Sequence, residues 1–134
     1  METVRIEYIG DLRTRAKHMR SGDEFITDAP VDNQGKGEAF SPTDLLATSL
    51  GTCAITTIGI VARTHGFNID GAEVKVTKIM YSDPRRVGEV IIEMNFPKND
   101  YTEKQKEIIR RTAEHCPVNK SLHPDLKQTF HFNF

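Results

Sequence analysis

Two residues carry most of the reactive potential of this chain: Cys53 and Cys116, its only cysteines. They lie far apart with no CxxC pair between them. A thiol reacts as its thiolate, so its ordinary pKa of about 8.5 must fall for it to work at neutral pH. A helix N-terminus or a nearby cation lowers it. In AEHCPVNKSL, Pro117 disfavours helix at Cys116 and suits the first position of a new short helix, PVNKSL, with Cys116 as N-cap. Cys53 ends the stretch SPTDLLATSLGTC and sits about three turns inside its helix, so a cation must be brought to it. Arg13, Arg15, Arg20 and a partner chain are the sources. The plainer reading is that each cysteine is a small apolar core residue. Yet both fall on faces expected to be buried, and helices packed about 8–10 Å apart can bring such sulfurs together. In that geometry one sulfur attacks a peroxide and becomes a sulfenic acid, and the other condenses with it.

The elements that must position these thiols follow from periodicity. TVRIEYIG alternates Val4, Ile6 and Tyr8 with Arg5 and Glu7, a strand with one polar face. RTRAKHMR and EFIT are two more strands, separated by turns at Gly10-Asp11 and Ser21-Gly22-Asp23. Residues 29–42, with two Pro and two Gly, form a loop without period. The quoted helix follows, with Ser41 as cap, Pro42 at the first position and Asp44 in the first turn near the positive end of the dipole. Leu46, Leu50, Cys53, Thr57 and Ile60 are expected on one face, and Leu45, Ile55, Ile58, Val61 and Ala62 cover the others. A helix apolar all round belongs in the middle of something. Gly51 and Gly59 make sense in it where another backbone comes close.

AEVKVTKIMY and EVIIEMNF predict a hairpin, the second strand presenting Val90, Ile92, Met94 and Phe96 on one face. Thr102 with Gln105 predicts a capping box for the helix TEKQKEIIRRTAEH, where Ile109, Ala113 and Cys116 share a face. QTFHFNF closes the chain as a strand with Phe130, Phe132 and Phe134 on one side. The order β-β-β-α-β-β-α-β predicts an α+β fold, largely antiparallel and without a βαβ run, in a single domain over residues 1–134. The apolar surface left on the central helix calls for the second helix, a large sheet curling around it or a partner chain, and the last of these points to an obligate dimer.

Other function classes find little support. A net charge of −1 offers no electrostatic case for nucleic acid or an anionic membrane. There is no uninterrupted run of about 18 apolar residues, so no membrane span is expected. METVRIEYIG lacks a basic region followed by an apolar one, so no signal peptide is expected and the default location is the cytoplasm, where thiols stay reduced. His65, His115, His123 and His131 are metal-ligand types, but not at the short spacings of zinc sites.

SPTDLLATSLGTC, the glycine-containing loop DNQGKG before it and AEHCPVNKSL after the second helix together resemble the osmotically inducible protein C / organic hydroperoxide resistance family (OsmC/Ohr), over nearly the whole chain. The resemblance implies the OsmC-like α+β fold: antiparallel sheets wrapped around two long central helices in an intertwined homodimer. It implies thiol-dependent reduction of alkyl or fatty-acid hydroperoxides to alcohols, in oxidative-stress defence. Cys53 matches the peroxidatic cysteine and Cys116 the resolving one. An external dithiol, of lipoyl type in some branches, restores both thiols, and no metal or flavin is required. The sequence departs from the peroxidase branches at Thr43, where they carry a Glu that orients an activating Arg. Asp44 comes one position later and is read first as a helix-dipole residue, second as a site carboxylate. Arg13 is the positional candidate for the activating Arg. In these respects the chain is closer to the less characterised OsmC-like branch. The alternative is a small-ligand-binding or redox-sensing dimer without efficient peroxidase activity.

Overall fold

The computed structural model describes residues 1–97 and 100–134. The chain forms two compact units, Met1–Leu46 and Ala47–Phe134.

The first unit is an antiparallel sheet in the order β1-β2-β3: β1 (Val4–Gly10), β2 (Arg13–His18) and β3 (Glu24–Asp28). The β1–β2 turn is tight. Gly10, Asp11 and Leu12 all have positive φ, at 91°, 54° and 62°. Gly and Asp tolerate this region, whereas Leu enters it at a cost. Neighbouring bonds hold it there: the Tyr8 hydroxyl accepts from the Leu12 N–H at 3.2 Å, and the Leu12 carbonyl accepts from the Ala29 N–H at 3.2 Å. Arg13 is therefore the first residue after a well-anchored turn, and the ladder pairs it with Asp28. The loop after β3 contains a single 3-10 turn at Val31–Asn33 and returns to the sheet where Phe40 bridges Thr27. The alternating residues of β1 remain exposed in this unit, Ile6 and Tyr8 at 66% each.

Helix α1 (Pro42–Thr64) opens on a reciprocal cap. The Ser41 hydroxyl accepts from the Asp44 N–H at 3.0 Å, and the Asp44 carboxylate accepts from the Ser41 N–H at 2.9 Å. This is the capping-box pattern with Asp at the third position. By length and composition α1 could also cross a bilayer, a test that core helices pass too.

The second unit holds a sheet in the order β4-β5-β6, formed by β4 (Glu73–Tyr81), β5 (Arg86–Asn95) and β6 (Lys127–Asn133), with α2 (Glu103–Ala113) and α3 (Pro117–Ser121) between β5 and β6. β4 and β5 pair antiparallel, but β5 and β6 pair parallel. The expectation of no βαβ run is thus overturned, because α2 and α3 carry the chain back so that β6 runs alongside β5. Strand periodicity has no direction, so QTFHFNF reads the same either way. The capping box is present: the Thr102 hydroxyl accepts from the Gln105 N–H and the Gln105 side chain accepts from the Thr102 N–H.

On β5, Val90, Ile92 and Met94 are fully buried, and Phe96 just beyond its end is nearly so. They join Ala47, Leu50, Ala54 and Ile58 of α1 and Ile109 and Ala113 of α2 in one core. Phe130, Phe132 and Phe134 stack along β6 with centroids 6.2 and 6.4 Å apart and pack on that core. The buried stripe of α1 differs from the face expected from sequence. Ala47, Leu50, Gly51, Ala54, Ile58 and Ala62 are buried, while Ile60 is 62% exposed and Leu46 37%. Small residues decide the rotation: a Cβ on Gly51 would stand 2.8 Å from Val76 Cγ2. Gly51→Val is therefore expected to lower the unfolding free energy by about 2 kcal/mol through overpacking, measured by urea denaturation.

Candidate active site

Both cysteines lie in the second unit and both are free thiols. Cys53 faces partly outward from the middle of α1. Its carbonyl accepts a 2.7 Å hydrogen bond from the Thr57 hydroxyl one turn later. Cys116 is fully buried at the junction of α2 and α3. It occupies the N-cap of α3, with extended backbone and Pro117 next, as its sequence context predicts. Its sulfur accepts from the Asn119 N–H at 3.4 Å. Asn119 is fixed in turn by Gln128 of β6, whose Nε2 donates to the Asn119 carbonyl at 3.2 Å.

The two cysteines share one packing cluster, Cys116 within the core and Cys53 against it. Cys53 is a neighbour of the Cys116 thiol and helps to raise its pKa. Burial is the larger cause of that rise, and the Asn119 and Val118 N–H groups oppose it. The N-cap position alone predicts a lowered pKa. Desolvation overrides it because the sulfur has lost water altogether. Cys116 thus keeps its proton. The pair is chemically unequal: one sulfur is accessible, the other enclosed and protonated.

The other sequence candidates lie in the first unit. Asp44 is committed to capping α1, as its position in the first turn suggests. The Thr43 hydroxyl stands 3.2 Å from that of Ser41. The Arg13 guanidinium finds carboxylates elsewhere, donating to Glu38 at 2.7 Å and to Asp28 at 3.4 Å. Asp28 is buried, and the Glu38 N–H donates to its Oδ2 at 3.1 Å. That bond, with Arg13, holds the Asp28 carboxyl below its ordinary pKa against the opposing effect of burial. Glu38 and Asp28 in turn raise the pKa of Arg13. Sequence reasoning missed both acids. Counting back the β2–β3 register from the Ser21-Gly22-Asp23 turn would have placed Asp28 opposite Arg13. Arg15 pairs with Glu7 at 3.5 Å on the surface. Among the described residues no group of three or more His, Cys, Asp or Glu converges as a metal site.

The OsmC-like protein family model matches residues 35–130, from the loop before α1 through both cysteines into β6. The chain belongs to the OsmC-like family. A solved protein of Psychrobacter arcticus 273-4, provisionally described as an osmotic stress induced and detoxification response protein, is 55% identical, with a TM-score of 0.94 over 98% of this chain and 96% of that one. The organic hydroperoxide resistance protein OsmC of Legionella pneumophila shares the fold at 14% identity, with a TM-score of 0.77 over 100% of this chain and 98% of that one. The organic hydroperoxide resistance protein OhrB of Bacillus subtilis does so at 19% identity, with a TM-score of 0.66 and 98% of each chain covered. No curated sequence matches the chain. The α+β class and the OsmC-like fold expected from the sequence are therefore found.

The Asp28 carboxyl makes a prediction about stability. A carboxyl whose pKa is lowered on folding stabilises the native state above its unfolded pKa of about 3.9 and loses that contribution as pH falls through the folded value. Asp28→Asn should melt below wild type at pH 7, and the gap should narrow below about pH 4, read by thermal denaturation across pH.

Proposed function

We propose that this chain reduces organic hydroperoxides to alcohols with Cys53 as the attacking sulfur and Cys116 as the resolving one. The observation that carries the reading is the unequal pair: a partly accessible Cys53 packed against the core that encloses a buried, protonated Cys116. The thiolate of Cys53 attacks the distal peroxide oxygen. The O–O bond breaks, the alkoxide takes a proton and leaves as alcohol, and Cys53 becomes a sulfenic acid. The Cys116 sulfur then displaces hydroxide from it, its proton leaves with that hydroxide as water, and the disulfide forms. An external dithiol supplies two electrons and two protons to restore both thiols, the lipoyl type being the proposed class. The cycle draws on no metal or bound cofactor, and it suits a reducing compartment such as the cytoplasm.

Arg13 is retained in this reading as the supporting cation, oriented by Asp28 and Glu38 where residue 43 offers no carboxylate. Asp44 serves as a helix cap. The reading also takes the functional form to be a homodimer. Its support is the apolar surface each unit leaves open: Ile6 and Tyr8 on β1, and Ile60 on α1. Neither nucleic acid nor membrane is a proposed partner.

One equivalent of cumene hydroperoxide added to reduced protein should remove two thiols and two hydrogens, seen by thiol titration and intact mass, with Cys53 joined to Cys116. Cys53→Ser should abolish peroxide consumption, and unchanged turnover in that variant would overturn the proposal. Cys116→Ser should still release alcohol once and then stop at the sulfenic acid. Light scattering should give twice the 15.2 kDa chain mass.

A further inference from the structure

Strand alternation puts Gln128 on the same face of β6 as Phe130 and Phe132, which pack on the core. The register places it beside Val90 of β5, which is fully buried. An apolar side chain would continue the row, yet the residue is an amide. A polar group in such a place needs hydrogen-bond partners.

Its partner is Asn119 of α3. Gln128 Oε1 accepts from Asn119 Nδ2 at 2.5 Å, and Gln128 Nε2 donates to the Asn119 carbonyl at 3.2 Å. One side chain thus grips Asn119 at both its side chain and its backbone. Asn119 in turn donates its N–H to the Cys116 sulfur at 3.4 Å. The helix that carries Asn119 has five residues, too few to hold an orientation by its own hydrogen bonds. Val118 and Leu122 seat it on the core. Apolar contacts of that kind have no direction, whereas a two-way amide pair has one. The next residue of the strand is tied elsewhere. The Thr129 hydroxyl donates to Glu89 of β5 at 2.6 Å and joins strand to strand.

We infer that Gln128 is a positioning residue for the second step of the proposed cycle. It holds Asn119, and through the Asn119 N–H it keeps the Cys116 sulfur in place to attack the Cys53 sulfenic acid. The role rests on the peroxidase reading for the identity of that step. The hold itself, from β6 through Asn119 to Cys116, can be measured without peroxide.

Reduced protein is given one equivalent of cumene hydroperoxide in the presence of dimedone, which traps a sulfenic acid as a thioether with loss of water. Intact mass then counts trapped Cys53 against the Cys53–Cys116 disulfide. Gln128→Leu should raise the trapped-to-disulfide ratio by about tenfold, the scale of one or two neutral hydrogen bonds, while the first attack on peroxide stays within about twofold of wild type. Thr129→Val removes a hydrogen bond from the adjacent residue of the same strand and should leave the ratio within about twofold, so a weakened strand does not mimic the effect. Asn119→Ala should raise the ratio as well, and adding it to Gln128→Leu should raise it no further, because both act on one route. An unchanged ratio in Gln128→Leu, an equal rise in Thr129→Val or fully additive effects would overturn the inference. Hydrogen exchange at the Asn119 amide, followed by NMR, should be about tenfold faster in Gln128→Leu than in wild type. Equal exchange overturns the inference whether or not the protein consumes hydroperoxide. Failure of the peroxidase reading registers differently, as the absence of any sulfenic acid in wild type and variants alike.

Discussion

The second unit depends on how closely α1 approaches the β4–β5 hairpin. Gly51 leaves no room for a side chain against Val76, with Val74 and Ile92 behind it. Interiors pack like crystals, so a contact this tight allows one rotation of the helix and excludes its neighbours. Each residue step turns the helix by about 100°, so fixing Gly51 fixes the azimuth of every other side chain. Cys53, about 200° further round, is turned well away from that contact and keeps part of its surface. The accessibility of one sulfur thus traces to the absence of a side chain two residues earlier.

A different balance governs the second sulfur. Cys116 caps α3, and a cap ordinarily places a thiol where backbone N–H groups favour the thiolate. Here the same residue is wholly enclosed by the core. Charging a sulfur there loses all of its hydration, and one 3.4 Å hydrogen bond recovers only part of it. The outcome is a protonated thiol, with Cys53 as a neighbour that adds to the rise in its pKa.

What was legible in the sequence was whatever depends on near neighbours. The Thr102–Gln105 box, the Ser41–Asp44 cap and the Cys116–Pro117 start of α3 each involve residues within four positions, and backbone chemistry alone dictates them. Alternation on β5 was equally plain, because one face is packed on the core from Val90 to Phe96. The rotation of α1 was not legible. Apolar residues on every side give periodicity no contrast, and the deciding feature is steric fit to strands more than twenty residues away. The direction of β6 was hidden for a similar reason, since parallel pairing with β5 is settled by the path of α2 and α3. Of the candidate site, the two cysteines were visible as residue types. Helix faces suggested that they lie near one another, whereas the inequality between them required burial to be known.

That inequality matters because a dithiol peroxidase must avoid two failures. If both sulfurs were exposed and ionised, each could be oxidised separately, and like charges would hold them apart. If both were buried and protonated, neither would attack. In the proposed cycle, a partly open sulfur beside an enclosed protonated one would separate the steps by access: peroxide would meet only Cys53, and Cys116 only what Cys53 has become. In that cycle a resolving thiol close at hand would shorten the life of the sulfenic acid, which is the form vulnerable to further, irreversible oxidation. The Asn119–Gln128 bond extends this control into the sheet, because it ties the cap of α3 to β6 and so limits how far Cys116 can move. Disulfide formation needs the two Cβ atoms about 3.5–4.5 Å apart. Any closing movement in the proposed cycle therefore falls to the Cys53 side chain, on the partly open side of the pair.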